Sequence, residues 1–247
     1  MDKRISYYLL SENDCLTLEI LEGVKVLNCK LLEGLSLGDC AKLIIPSTLM
    51  QIDVAVWEKF TALQEIFVRP QSEYFASDAG ILYSKDHKAL VKYPAAKQDT
   101  YFEIPSEVTN ICESAFLHAT NLACVKVGSS VTTIEEFAFF NALGLRHIYI
   151  SKSVTNIRGK YIFGTKDEQQ IFLCEWYLVV GGETGSELEK WCDRYGVNFY
   201  PLQEKELHDF LALPLPELHP YPAGEDTYLA GSRKIAQEKE NAKRQKQ

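Results

Sequence analysis

The residues of this sequence best equipped for chemistry are its seven cysteines and five histidines, as nucleophiles, general bases or ligands for a soft metal. Their spacing supports none of these uses. The cysteines, at positions 15, 29, 40, 112, 124, 174 and 192, come no closer than eleven residues apart, whereas a zinc site needs thiolates or imidazoles in close pairs. The histidines, at 87, 118, 147, 208 and 219, form no H-E-x-x-H or other helical metal pairing. A nucleophilic cysteine needs a neighbouring base to draw off its proton, and the sequence names none for Cys124 or Cys174. The run Gly181-Gly182-Glu183-Thr184-Gly185-Ser186 resembles a phosphate-binding loop but lacks the lysine that would reach the phosphates. It reads better as the turn into a helix, with Ser186 as N-cap. No catalytic residue, cofactor or metal is assigned, and the chain is read as not an enzyme.

Composition narrows the function classes further. Of 247 residues 46% are hydrophobic and 24% charged, which is a globular balance and excludes collagen-like, low-complexity and wholly disordered chains. A formal charge of −8 argues against a binder of nucleic acid or anionic membrane, because both want a basic face. The first twelve residues hold no apolar run of signal-peptide length, and no stretch approaches the ~20 apolar residues of a membrane span. Free thiols in a reducing cytoplasm are the expectation for the odd, unpaired cysteines. A secreted or cell-surface chain whose leader was removed is the alternative.

The elements that carry these residues are organised by an internal repeat. Phe102-Glu103-Ile104, Val125-Lys126-Val127, Ile148-Tyr149-Ile150 and Ile171-Phe172-Leu173 each begin 23 residues after the one before. The same offset joins Leu43-Ile44-Ile45 to Ile66-Phe67-Val68. Behind each apolar pair follow Leu49, Val108, Val131 or Val154, then Ile52, Ile111, Ile134 or Ile157, then Trp57, Phe116, Phe139 or Ile162. Leu63, Leu122 or Leu145 stands three residues before the next strand, a slot that Cys40 fills ahead of Leu43 as a small core residue. Each unit is a short strand, a turn and a compact bent or helical return. One unit cannot bury its apolar side alone, so the units must stack into a solenoid. Each large side chain buried between coils contributes about 1.5–3 kcal/mol.

The pattern I-x-I-P-x-x-V-T-x-I-x-x-x-A-F-x-x-A-x-x-L closely resembles the BspA-type leucine-rich repeat family. Its best copy runs from Ile104-Pro105 through Val108-Thr109-Asn110-Ile111 and Ala115-Phe116 to Asn121-Leu122. The segment Gly80 to Lys97 resembles the hairpin found between such repeats, with Ile81-Leu82-Tyr83 and Leu90-Val91-Lys92-Tyr93 as its β-prone arms. Gly185 through Trp191-Cys192 to Phe199 resembles the family's closing helix and strand. The resemblance departs at Glu168-Gln169, where the leucine slot is lost, and in the N-terminal units. The fold class that follows is α/β: a leucine-rich-repeat solenoid of 23-residue strand, turn and short-helix units with one continuous curved sheet, an inserted β-hairpin and a C-terminal capping helix and strand. Residues 1–200 are assigned to the solenoid, with the insert at about 70–100 and the cap at about 175–200. Residues 201–230 are a proline-rich linker opening with a short amphipathic helix over 201–213, and 231–247 are a solvated basic tail.

Repeat register then points to a surface. In each strand the apolar pair faces inward and the residue between them outward, giving one outward column of Ile44, Phe67, Glu103, Lys126, Tyr149 and Phe172. A flanking column holds Lys42, Glu65, Tyr101, Cys124, His147 and Gln170. Glu103 and Lys126 are placed for a cross-strand charge pair and Tyr149 and Phe172 for aromatic contact. Large apolar side chains on an open sheet face mark contact sites, and Tyr, Phe and Arg are enriched at interfaces. Phe67, Arg69, Tyr101, Lys126, His147, Tyr149 and Phe172 are therefore the candidate protein-binding residues. The alternative is that the C-terminal segment 201–222 folds back over them. The function expected is a non-catalytic scaffold binding a protein or peptide partner. The resemblance implies as its alternative a cell-surface adhesin for host or matrix proteins, and an enzyme or small-ligand site in the loops is a third reading.

Overall fold

The structure, a computed structural model, describes residues 7–12, 15–166, 171–173 and 178–207. By its contacts the chain divides at Pro214, and all described residues belong to the first unit. The proline-rich linker beyond 207 and the basic tail lie outside the described residues. Of the helix anticipated over 201–213, only a single 3-10 turn at Glu204–Glu206 is described.

The chain winds as a solenoid. Strand β1 (Tyr7–Glu12) turns antiparallel into β2 (Cys15–Ile20), followed by the short β3 (Val26–Leu27). The next coil carries β4 (Cys40–Ile45), β5 (Gln51–Ile52) and a 3-10 helix at Val54–Lys59. The third has β6 (Glu65–Val68), the hairpin β7 (Phe75–Asp78) and β8 (Ile81–Ser84), then β9 (Ala89–Lys92). Three regular coils follow: β10 (Tyr101–Glu103) with β11 (Asn110–Ile111), β12 (Cys124–Val127) with β13 (Thr133–Ile134), and β14 (His147–Ile150) with β15 (Asn156–Ile157). A second hairpin, β16 (Gly164–Lys166) and β17 (Ile171–Leu173), precedes β18 (Val179–Gly182), helix α1 (Glu187–Tyr195) and β19 (Phe199–Pro201).

Register between coils is the sequence period made visible. Val125 pairs with Ile148 and with Phe102, and Leu43 with Ile66, all in parallel. The short strands stack the same way, Ile111 on Ile134 and Ile134 on Ile157. The inward residues Leu43, Ile45, Ile66, Val125, Val127, Ile148 and Ile150 are buried as the alternation requires. An aromatic spine runs through this core: Tyr93, Phe116, Phe139 and Phe163 stack at centroid spacings of 5.2, 4.7 and 5.5 Å, and Trp191 of α1 closes the end edge-on at 5.8 Å. Cys40 is fully buried, as its leucine slot implied.

Three features of the expected architecture are corrected. The return segment of the regular coils is not a short helix. Ser114 and Phe137, and His118 and Asn141, take left-handed backbone at positions one repeat apart. The N–H of Phe116 goes sideways to Ala138 of the next coil at 2.7 Å, and that of Phe139 to Ile162 at 2.9 Å. An N–H spent between coils cannot also close an α-helical turn.

The sheet is not continuous either. A four-stranded sheet β1-β2-β4-β6 ends at β6, and a five-stranded sheet β10-β12-β14-β18-β19 begins afresh. The inserted hairpin causes the break, with β8 pairing β9 on the short-strand side. Its β8 is buried on both faces: Leu82 joins the N-terminal core, while Ile81 and Tyr83 join the C-terminal one.

Ile171–Leu173, the last strand of the 23-residue series, does not lie beside β14. It pairs antiparallel with β16, and Val180 takes the place beside Ile148. Gly181-Gly182, expected in the turn into the helix, is strand. A Cβ on Gly182 would stand 2.7 Å from the Ile150 carbonyl oxygen, so this close approach requires glycine. Ser186 is the N-cap of α1, its hydroxyl accepting from the Glu189 N–H at 3.2 Å, and Gly196 closes the helix in left-handed conformation.

Candidate interaction surface

The outward columns of the two sheets carry the candidate residues, and the structure treats the two ends of that surface differently. Phe67 on β6 and Tyr101 on β10 stand open, 41% and 44% exposed. Lys126 pairs with Glu103 at 3.0 Å across the β10–β12 ladder, and the Tyr101 hydroxyl donates to Glu103 at 3.3 Å. Arg69, just past β6, ion-pairs with Glu19 of β2 and reaches Glu22 at 3.8 Å, so it binds the first coils together.

His147 and Tyr149, expected on the open face, are instead fully buried. Leu202 and Leu207 pack over Tyr149 with Val179 beside it. The Tyr149 hydroxyl donates to Glu183 at 3.0 Å, and the Leu202 N–H bonds Gly182 at 2.9 Å to bring the covering segment down. The alternative of self-coverage is thus what happens at this end of the sheet. Phe172 does not extend the column, because Gly181 is the neighbour of Tyr149; its side chain lies outside the described residues.

The candidate nucleophile gains a neighbour that the sequence alone did not give. Register across β12 and β14 sets Cys124 opposite His147, with the thiol sulfur 4.0 Å from Nδ1. Burial pushes the thiol pKa up. The imidazole is pushed down, by burial and then by Arg146. Both shifts work against a thiolate–imidazolium pair. Among the described residues no three His, Cys, Asp or Glu side chains gather as a metal site, and Cys29, Cys40, Cys112, Cys124 and Cys192 are free thiols.

Sequence reading missed one concave feature. Where β6 and β10 fail to pair, Gln64, Glu65, Ile66, Phe67, Ser77, Ala79, Gly80, Lys97, Gln98 and Asp99 line a cavity of about 560 Å³. The available signal was the thirteen-residue excess between Val68 and Ile104. It announced an insert, but not that the insert would hold two sheets apart.

Residues 96–175 match the family model described as BspA type Leucine rich repeat region, in six copies. Over these residues the chain is similar to BspA-type leucine-rich repeats. Its fold agrees with a solved leucine-rich repeat protein of Eubacterium ventriosum, at TM-score 0.57 and 24% identity over 68% of this chain and 42% of that one. A leucine rich cell surface protein of Faecalibacterium prausnitzii aligns at TM-score 0.49 and 20% identity, over 78% of this chain and 61% of that one. This chain therefore spans less than two thirds of either of these two proteins. No curated protein matches the sequence. No described helix is long and apolar enough to cross a membrane.

Proposed function

We propose that this protein is a non-catalytic scaffold that binds a protein partner on the open part of its sheet surface, from Phe67 through Tyr101 and Glu103 to Lys126. The observation that carries this reading is the contrast along one surface. The C-terminal segment covers Tyr149, yet Phe67 and Tyr101 keep large apolar surface in water. Solenoids stack repeats into extended faces of this kind. The test is capture of partners by the wild-type chain beside a Phe67→Ser/Tyr101→Ser variant with an unchanged circular dichroism spectrum. A protein retained by the first and lost by the second supports the assignment, and equal capture by both refutes it.

The family match favours a cell-surface setting as the second reading, and no finding favours the cytoplasmic one. Release of fragments from intact cells by external protease is the expected outcome; protection until lysis would count against it.

A further inference from the structure

The break between the two sheets leaves one strand edge unsatisfied, and its hydrogen-bonding character says more about the partner than the exposed aromatics do. Within the β10–β12 ladder the Cys124 N–H bonds the Thr100 carbonyl and the Ile104 N–H bonds Lys126, both at 2.9 Å. That alternation turns the N–H and C=O of Tyr101 and Glu103 the other way, toward the break. No hydrogen bond among the described residues engages those main-chain groups. Across the break, β6 is differently placed. Its outward donors are already taken by the hairpin, Ile66 N–H by the Gly80 carbonyl and Val68 N–H by the Ser77 hydroxyl, each at 2.9 Å. Strands β12, β14 and β18 all have partners on both sides. β10 is thus a strand with one empty edge, beside a cavity of about 560 Å³ and flanked by exposed Phe67 and Tyr101.

Charge selects among extended segments. Three ion pairs surround the break: Lys42–Glu65, Lys97–Asp99 and Lys126–Glu103. In each the carboxylate is the more exposed member, at 50%, 40% and 52% against 35%, 19% and 17% for the lysines. The rim that an approaching chain meets first is therefore acidic. The geometry points to strand addition: a basic, extended segment of a protein partner pairs with the empty edge of β10 through Tyr101 and Glu103, its lysines or arginines meeting Glu65, Asp99 and Glu103. This rests on the protein-binding reading above and adds to it the conformation and charge of what is bound.

The test uses the full chain and a short synthetic peptide of alternating lysine and valine, with amide hydrogen exchange read residue by residue. In the free protein the Tyr101 and Glu103 amides exchange freely, and saturating peptide slows both by about tenfold or more. Peptides N-methylated only at lysine or only at valine discriminate further, since one set of alternate residues faces β10 and the other faces away. One of the two loses about tenfold or more in affinity and the other does not. A glutamate–valine peptide does not bind. Protection of both amides in the free chain, whether by its own C-terminal segment or by a second copy at rising concentration, overturns the proposal. Equal behaviour of the two methylated peptides, or failure of the lysine–valine peptide to bind, overturns it as well. None of these results touches the broader scaffold reading, which stands or falls on the Phe67 and Tyr101 variant.

Discussion

The side-chain ammonium of Lys92 sits 2.7 Å from the main-chain oxygen of Leu117, with no solvent exposure, where the N-terminal and C-terminal cores meet. It also donates to the Ser114 carbonyl at 3.3 Å and lies 5.9 Å from the Trp57 ring centroid. Both carbonyls belong to the tight return that contains left-handed Ser114 and His118; the Ser114 oxygen also accepts from the Leu117 N–H at 3.0 Å, and Lys92 supplies a donor to the Leu117 oxygen. Burial lowers its pKa to about 7, against a smaller opposing pull from Glu58.

That shift makes stability rise with pH. Between pH 7 and the ordinary lysine value of 10.5 the unfolded chain holds the Lys92 proton and the folded chain does not. Buried thiols and phenols act oppositely, from about pH 8 upward where the unfolded chain's thiols begin to ionise: Cys112 is pushed up to about 12 from 9, and Tyr83 is raised from 10, in each case by burial first. From pH 7 to 8 urea denaturation therefore gives an unfolding free energy that climbs by up to about 1.4 kcal/mol per pH unit. Lys92→Met flattens the climb. An unchanged slope in that variant would contradict the assignment.

The spine sets the cost of core truncation. Phe139 stacks between Phe116 and Phe163, so Phe139→Ala removes two ring contacts and leaves a cavity. It lowers stability by about 3–5 kcal/mol in urea denaturation. Phe67→Ser and Tyr101→Ser remove rings that face water, and each shifts stability by less than about 0.5 kcal/mol.

A Cβ on Gly144 would stand 2.1 Å from the Thr120 carbonyl oxygen. Backbone cannot give way as a flexible side chain would. Gly144→Ala costs about 1–3 kcal/mol, measured by thermal melting beside Gly128→Ala, which meets nothing within 4 Å.

Coverage of Tyr149 depends on two leucines. Leu207→Asp places a carboxylate against the buried ring and lifts the segment away. Tyr149, shielded from tetranitromethane in the wild type, becomes nitrated in the native variant, as peptide mass spectrometry would read. Continued protection would mean that Leu202 and the Glu183 hydrogen bond suffice.

Much of this architecture is legible in the sequence because each coil stacks on a near copy of itself. A residue such as Ile111 meets Ile134 one period on, so a local pattern states a long-range contact. Inward pairs, the Glu103–Lys126 bridge, Ser186 as N-cap and the existence of the hairpin all follow from residue type and period. The 23-residue series fails at Ile171–Leu173 because apolar alternation marks a strand without naming its neighbour; pairing with β16 gave those residues an antiparallel partner instead.

The surface was legible only in part, since exposure is a relation between distant segments. Tyr149 and Phe67 occupy equivalent outward positions in the repeat, yet Leu202 and Leu207 cover one and leave the other open. Periodicity carries no information about where a C-terminal segment lies down. Nor does it reveal that Leu82 and its neighbours Ile81 and Tyr83 face two separate cores. The sequence by itself determined the solenoid, its period and its inward face, because those are local patterns multiplied by stacking. Only the tertiary structure decided where the sheet parts, which strand keeps an empty edge and which aromatics meet water, because each of those depends on packing between segments that no repeat relates.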